Sequence, residues 1–250
     1  MRFQVLYILW LRQIKRYFRS RARIIGSLGQ PLLFLVALGF GMGPVYQKAG
    51  GGNYIEFLAP GIVAMSILFT AIFSGIEVIW DRQFGFLKET LVAPVSRLEI
   101  MIGRTLGSAT VATLQGCIVL ALAYLAGFRI VSWANLPIAL VFMVLIALLF
   151  TALGTAIASV LDDMQGFQLI MNFLVMPLFF LSGALFPMAG LPGALKVVVR
   201  ANPLAYGVDG LRHALIGIST FGTMLNFSVL LIITFLLFVS GAYLFSKIEI

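Results

Sequence analysis

The segment LPIALVFMVLIALLFTALGTAIASV, Leu136–Val160, contains no charged side chain. A helix needs about 20 consecutive apolar residues to cross a hydrocarbon core of about 30 Å, so this segment is predicted to be a transmembrane helix. Five further stretches are similarly apolar, and the sequence therefore predicts an all-α integral membrane protein with six transmembrane helices. The predicted spans are Ile24–Gly43, Phe57–Ile79, Thr105–Gly127, Leu136–Val160, Phe167–Phe186 and Phe227–Phe245.

The composition supports this class, because the 250 residues are 61% hydrophobic and 10% charged. A soluble domain is about 45–50% apolar and about 25% charged. The net charge of +8 would suggest nucleic acid in a soluble protein, but here it indicates topology, and no nucleic-acid partner is expected. Seven basic residues precede the first span with no acid among them, so both ends of a six-span chain are predicted to be cytoplasmic.

The first 23 residues carry two patterns at helical spacing. Aromatic and aliphatic side chains recur every three or four positions from Phe3 to Tyr17, and basic side chains occupy the other side. The favoured interpretation is an amphipathic helix that lies on an anionic leaflet, with residues 24–250 as the membrane domain. The alternative is a basic topology signal. The candidate interfacial residues are Trp10, Arg12, Lys15, Arg16 and Arg19.

Glycine and proline predict features of the spans. Pro31 predicts a kink or a late start of the first span, and the glycines up to Gly43, followed by Pro44, predict its end. The pairs Gly39–Gly43 and Gly103–Gly107 match the small-xxx-small spacing that allows close helix packing. Either pair is a candidate packing seam.

The connection 80–104 is the longest one predicted on the inner side. Its apolar spacing predicts a short amphipathic helix from Asp81 to Leu91, which Pro94 ends. Ser96 and Glu99 have the spacing of a capping box, so a second helix is predicted to start there and to continue into the third span. The first helix is either a docking surface for a cytoplasmic partner or a helix on the lipid surface.

The segment 187–225 is apolar but broken by prolines and glycines. Two short re-entrant helices, Pro192–Arg200 and Leu204–Ile218, are predicted, packed on the bundle at its outer end. Glu77 lies near the inner end of the second span, where it forms a structural ion pair or acts in the transport pathway or its gate. Asp162 and Asp163 are predicted to cap a helix or to contact a basic partner.

The motifs of the common enzyme classes are absent from the sequence. It contains no G-x-x-x-x-G-K-[ST] loop, no H-E-x-x-H and no G-x-S-x-G. The chain is therefore predicted to be neither an enzyme nor an ATPase by itself, to carry no cofactor and to bind no metal.

Three stretches carry a family resemblance: GFLKETLVAPVSRLEIMIGRTLG (85–107), LSGALFPMAGLP (181–192) and ANPLAYGVDGLRHAL (201–215). They resemble the permease subunits of the ABC-2 transporter family, most closely the daunorubicin-resistance type of drug exporter. The resemblance implies a type V ABC exporter-like fold in a bacterial or archaeal inner membrane. It also implies a second permease chain, as a homodimer, and two copies of a separate ATP-binding subunit that holds ATP and Mg.

The resemblance also implies roles for particular residues. The loop after the second span would hold a coupling helix that fits a cleft of the ATPase, and aromatic and Met side chains of three spans would line a substrate pathway. The implied coupling residues are Asp81, Arg82, Phe84, Leu87, Lys88, Glu89, Pro94, Ser96, Arg97, Glu99 and Arg104. The implied pathway residues are Gln30, Met65, Phe69, Phe73, Asn172, Met176, Phe179 and Phe180.

The predicted function is that of a pore subunit in an ATP-driven exporter, which moves a hydrophobic or amphipathic drug or lipid-like substrate by alternating access. An exporter of glycans or lipid-linked polysaccharide has the same architecture and stays an alternative. A stand-alone secondary transporter is less favoured, because ion coupling requires deep intramembrane acids and Glu77 is shallow and solitary.

Overall fold

A computed structural model describes residues 3–50, 52–86, 95–188 and 191–247. These residues form ten α-helices and one short 3-10 turn, without a β-strand in the described part. The helices are α1 (Phe3–Arg19), α2 (Arg21–Lys48), α3 (Tyr54–Phe73), α4 (Ile76–Gln83), α5 (Arg97–Leu125), α6 (Leu136–Val160), α7 (Met164–Phe180), α8 (Gly193–Ala201), α9 (Pro203–Ile216) and α10 (Thr223–Ser246).

Five segments of the described chain are long and apolar enough to cross a membrane: α2, α3 with α4, α5, α6 and α10. Helix α7 is apolar but has 17 residues, or roughly 25 Å at 1.5 Å per residue. The helix ends at Phe180, whereas the predicted span continued to Phe186. A turn follows, in which Gly183 has a φ of 72° that favours glycine.

Helix α3 lies inside the bundle, and α2 and α10 lie mostly on its outside. The bounds of α6 match the predicted span, because both its ends coincide with the limits of the apolar segment. Helix α6 packs against α3, α5, α9 and α10. The bundle therefore has α3 and α6 at its centre.

The second span is interrupted, contrary to the prediction of one helix over Phe57–Ile79. Helix α3 ends at Phe73, and α4 begins at Ile76. The interruption faces α6, where a Cβ on Gly75 would lie closer than 3.0 Å to the carbonyl of Gly154. A Cβ on Gly154 would in turn collide with the carbonyl of Ile72, so the two backbones are in direct contact.

The first span is longer than predicted. Helix α2 begins at Arg21, upstream of the predicted start, and continues through Pro31 and Pro44 to Lys48. Within the described chain the candidate seam Gly39–Gly43 is not formed, because only Gly39 meets a neighbour, Ile55, and a Cβ on Gly43 would meet no described atom within 4 Å. Glycines inside a membrane helix do not have to end it, since hydrocarbon leaves the backbone no other hydrogen-bond partner.

The other glycine pair is a packing seam. A Cβ on Gly103 would lie 2.9 Å from the Cβ of Leu9, and one on Gly107 would lie 2.8 Å from the Cβ of Gln13. Helix α1 therefore packs directly on the first half of α5. Leu9, Gln13 and Tyr17 form this contact face of α1. The aromatic side chains of Phe3 and Tyr7, nearer the start of the helix, are exposed.

At the opposite end of the bundle, the two short helices predicted after the fifth span are present as α8 and α9. Asp209 is fully buried and accepts hydrogen bonds from Ser219, from the backbone of residues 220 and 221, and from Asn226. Arg212 donates to the carbonyls of Phe57 and Gly183. These bonds tie α9 to α3, to the turn after α7 and to the start of α10.

Candidate functional site

A cluster of buried charges lies where α1, α4 and α5 meet. Asp81 accepts hydrogen bonds from Arg12 at 3.0 Å and forms an ion pair with Arg104 at 2.8 Å. The side chains of Asp81 and Arg104 are 9% and 5% exposed. Both were implied coupling residues. The structure places them between helices, where they hold α1, α4 and α5 together.

A second ion pair joins α1 to α4, between Arg16 Nη1 and Glu77 Oε2 at 3.5 Å. Of the two interpretations of Glu77, the structural ion pair is present. Arg12 and Arg16, which the sequence pattern assigned to the basic side of an interfacial helix, both face acids of α4. We name Arg12, Arg16, Glu77, Asp81 and Arg104 the charge cluster.

The remaining basic residues of α1 and the ring of Trp10 are placed differently. Lys15 and Arg19 are exposed. Trp10 donates through Nε1 to the hydroxyl of Thr110 at 3.0 Å, and its ring stacks with Tyr7. Trp10 therefore anchors α1 to α5.

The turn between α6 and α7 is tied to the end of α4. Arg82 forms an ion pair with Asp162, and Gln83 donates to the carbonyl of Asp162 at 2.9 Å. Asp163 caps α7 by accepting from the backbone N–H groups of Gln165 and Gly166. Asp163 therefore has the predicted role of a helix cap. Asp162 has the other predicted role, contact with a basic partner, and that partner is Arg82 of the same chain.

Most other implied coupling residues are exposed or lie outside the described residues. Phe84 is 77% exposed, just after α4. Ser96 and Glu99 form the predicted capping box at the start of α5, and Arg97 donates to the carbonyl of Ser246. The predicted helix Asp81–Leu91 overlaps the end of α4, and its residues 87–91 lie outside the described residues. The implied residues Leu87, Lys88, Glu89 and Pro94 also lie outside the described residues.

A cavity of about 360 Å³ lies beside the charge cluster, between α1, α2, α3, α4 and α5. Nine of its sixteen lining residues have polar side chains, and three more are aromatic or sulfur-containing. The lining residues are Gln13, Tyr17, Gly26, Ser27, Gln30, Pro31, Met65, Ser66, Phe69, Thr70, Phe73, Ser74, Ile76, Glu77, Ser108 and Val111.

Four of the eight implied pathway residues line this cavity: Gln30, Met65, Phe69 and Phe73. The rings of Phe69 and Phe73 stack with their centroids 6.1 Å apart. The other four lie on α7. Asn172, Met176 and Phe180 are exposed on its outer side, and Phe179 is buried against the ring of Phe34.

Several polar residues at the cavity were missed by the sequence reasoning, in particular Gln13, Tyr17 and Ser108. Tyr17 donates to the amide oxygen of Gln115, which is fully buried in the middle of α5. Burial raises the pKa of the Tyr17 hydroxyl above its ordinary value, so it stays a neutral donor. Leu9, Gln13 and Tyr17 are spaced four residues apart, so a helical-wheel search for a polar residue on a buried face would have found Gln13.

The cavity wall offers both polar and apolar contacts. Hydroxyl and amide groups can hydrogen-bond a polar group, and the Phe and Met side chains can pack on an apolar one. Glu77 is the one acidic residue among the described lining residues, and it pairs with Arg16. Within the described ranges, no group of three or more His, Cys, Asp or Glu side chains could hold a metal ion.

Comparisons with known proteins identify relatives of this chain. Residues 4–216 match the family model described as ABC-2 type transporter. Nodulation protein J of Rhizobium meliloti (strain 1021) is 32% identical over 198 residues, covering 78% of the chain and 75% of that relative. Nodulation protein J of Rhizobium leguminosarum bv. trifolii is 31% identical, with coverage of 84% and 78%. The ycf38 protein of Cyanophora paradoxa is 27% identical, with coverage of 98% and 89%.

Proposed function

Because the chain belongs to the ABC-2 type transporter family of membrane permeases, we propose that it is the transmembrane subunit of an ATP-driven exporter. The observation that carries this proposal is the cavity enclosed by α1, α2, α3, α4 and α5. Of these, α2, α3 with α4, and α5 are long and apolar enough to cross a membrane. Binding sites for small molecules are concave, with a few placed polar groups on an otherwise apolar wall.

The proposed substrate is amphipathic. An apolar side, formed by Phe69, Phe73 and Met65, faces the same space as hydroxyl and amide groups such as Thr70 and Gln30. A molecule with an apolar part and a hydrogen-bonding part uses both sides, whereas a purely apolar molecule leaves the polar groups unpaired.

Export of a glycan or lipid-linked polysaccharide is the second candidate. The observation that favours it is the high share of hydroxyl and amide groups in the cavity wall. Sugar hydroxyls pair with such groups, and aromatic rings such as those of Phe69 and Phe73 offer a face for a sugar ring. Transport of a glycolipid probe, measured against transport of daunorubicin, distinguishes the two candidates.

ATP hydrolysis is proposed to occur on a separate ATP-binding subunit, since the sequence contains no phosphate loop. The proposed docking surface is the connection between α4 and α5, which is flanked by the exposed ring of Phe84 and by the capping box at Ser96. Movement of this connection would reach the bundle through the charge cluster, because Asp81 and Arg104 stand at its two ends. The assembly is proposed to contain two permease chains, as a homodimer, and two ATPase chains in a bacterial or archaeal inner membrane, with the permease termini in the cytoplasm.

The test is co-purification of the tagged chain with the ATP-binding protein encoded beside its gene. The expected mass corresponds to two copies of each chain, and ATPase activity is expected to rise when the permease is present. Leu87→Asp should abolish the stimulation, and Val131→Asp, at an exposed position outside this connection, should leave it intact. Absence of co-purification, or equal stimulation by both variants, would contradict the proposed partner or its docking surface.

A further inference from the structure

The face that α1 turns toward the bundle is unusually polar. Gln13 is 5% exposed and Tyr17 is 2% exposed, and both line the cavity. Trp10 and Tyr17 donate hydrogen bonds to Thr110 and Gln115 of α5. A polar contact of this kind can exchange its hydrogen bonds for bonds to water, so separation costs less than it would for an apolar contact of equal area.

Two polar atoms in the cavity wall and directly behind it have no hydrogen-bond partner among the described residues. They are Nε2 of Gln115 and Oγ of Ser66. A buried polar atom without a partner is unfavourable, and water that enters the cavity would supply a partner. The closed arrangement of α1 therefore leaves polar groups that become better satisfied when α1 moves outward.

The hold of α1 on α4 is electrostatic. Arg12 and Arg16 pair with Asp81 and Glu77, and the two arginine side chains are 28% and 27% exposed. Exposure of this degree admits screening by salt. Asp81 keeps its ion pair with Arg104 when Arg12 is removed, so loss of the Arg12 contact does not leave Asp81 without a cation.

We propose that α1 is a movable wall of the cavity, held closed by the pairs Arg12–Asp81 and Arg16–Glu77. Because both acids lie on α4, a displacement of α4 changes the position of this wall and thereby access to Gln13 and Tyr17. The importance of the wall for substrate rests on the proposed function of the cavity. Its movement does not, because it depends only on contacts within this chain.

The test measures how fast a cysteine at position 13 reacts with a charged, membrane-impermeant maleimide. Cys117→Ser removes the one native cysteine, and Gln13→Cys introduces the probe, with the protein reconstituted in lipid nanodiscs. Labelling is expected to be slow. Arg12→Gln together with Arg16→Gln should raise the rate about tenfold. Lys15→Cys, on the exposed side of α1, reports on reagent reactivity and should label rapidly with and without the arginine changes.

Three controls exclude loss of folding and a general charge effect. Lys15→Gln with Arg19→Gln removes the same amount of charge from exposed positions and should leave Gln13→Cys slow. The exchange Arg16→Glu with Glu77→Arg should keep most of the slow labelling, because it restores one pair with opposite polarity. With both native arginines in place, a rise in salt from 50 mM to 1 M should accelerate labelling of Gln13→Cys relative to Lys15→Cys.

An equal rate at position 13 with and without the two arginines would overturn the proposal. So would a slow rate that does not respond to salt, or a rate in the parent protein equal to that of Lys15→Cys. The experiment uses neither ATP nor a partner nor a substrate. Its failure therefore leaves the exporter proposal standing, and failure of the co-purification leaves the labelling result standing.

Discussion

The contact between Gly75 and Gly154 yields the sharpest stability prediction. A Cβ at Gly154 would lie closer than 3.0 Å to the carbonyl oxygen of Ile72, and one at Gly75 would meet the carbonyl of Gly154. In both cases the atom that must move belongs to the backbone, so no rotamer change relieves the clash. Gly75 has ordinary helical φ and ψ values, so alanine meets no conformational strain there.

Overpacking of this kind costs about 1–3 kcal/mol. For a chain of this size, that free energy lowers the melting temperature by roughly 2–12 °C. Gly154→Ala and Gly75→Ala should each show such a decrease when the monodisperse fraction in detergent is measured after heating. The matched control is Gly41→Ala in α2, where a Cβ would meet no described atom within 4 Å and alanine favours the helix. Equal melting temperatures for Gly154→Ala and Gly41→Ala would refute the proposed backbone contact.

Three further predictions concern single contacts, each measured as a melting temperature in detergent. Asp209→Asn should destabilise the protein by about 2–4 kcal/mol, because an amide cannot accept all four hydrogen bonds. Asp163→Asn should be nearly neutral, because asparagine is an equally good N-cap. Equal effects of the two substitutions would contradict the hydrogen bonds described for Asp209. Ser96→Ala should cost about 1 kcal/mol through loss of the capping box, and Ser96→Thr should retain most of that stability; no difference between the two would argue against the cap. Arg212→Gln should lower the melting temperature more than Arg200→Gln. Of these two arginines, only Arg212 is buried and hydrogen-bonded to the carbonyls of Phe57 and Gly183. A larger decrease for Arg200→Gln would exclude the Arg212 contact.

Local features were predictable because their causes are local. The bounds of α6 follow from one uncharged segment, and the capping box at Ser96 follows from a four-residue pattern. The bounds of the two short helices α8 and α9 were predicted to within two residues, because proline and asparagine mark their starts. The seam at Gly103–Gly107 was proposed from spacing alone, although its partner, α1, was not.

The features that were missed depend on contacts distant in sequence. The interruption after Phe73 lies in direct backbone contact with Gly154, which is about 80 positions away in the sequence. Arg12 is separated from Asp81 by 69 positions, so an amphipathic wheel of α1 assigns it to a solvated side. Neighbouring helices likewise decide that Asn172 lies on the exposed side of α7. A membrane helix is apolar around its whole circumference, so its sequence does not mark which side is buried.

The exporter proposal holds that this permease moves an amphipathic substrate through the cavity with energy from a partner ATPase. It is tested most directly by ATP-dependent uptake of daunorubicin or a fluorescent glycolipid into inside-out vesicles that contain both subunits. Thr70→Phe, which fills the cavity, should reduce uptake at least about tenfold without loss of assembly, and Ser240→Phe, on the exposed side of α10, should not. Uptake without the ATPase, or normal uptake of both probes by Thr70→Phe, would contradict the claim.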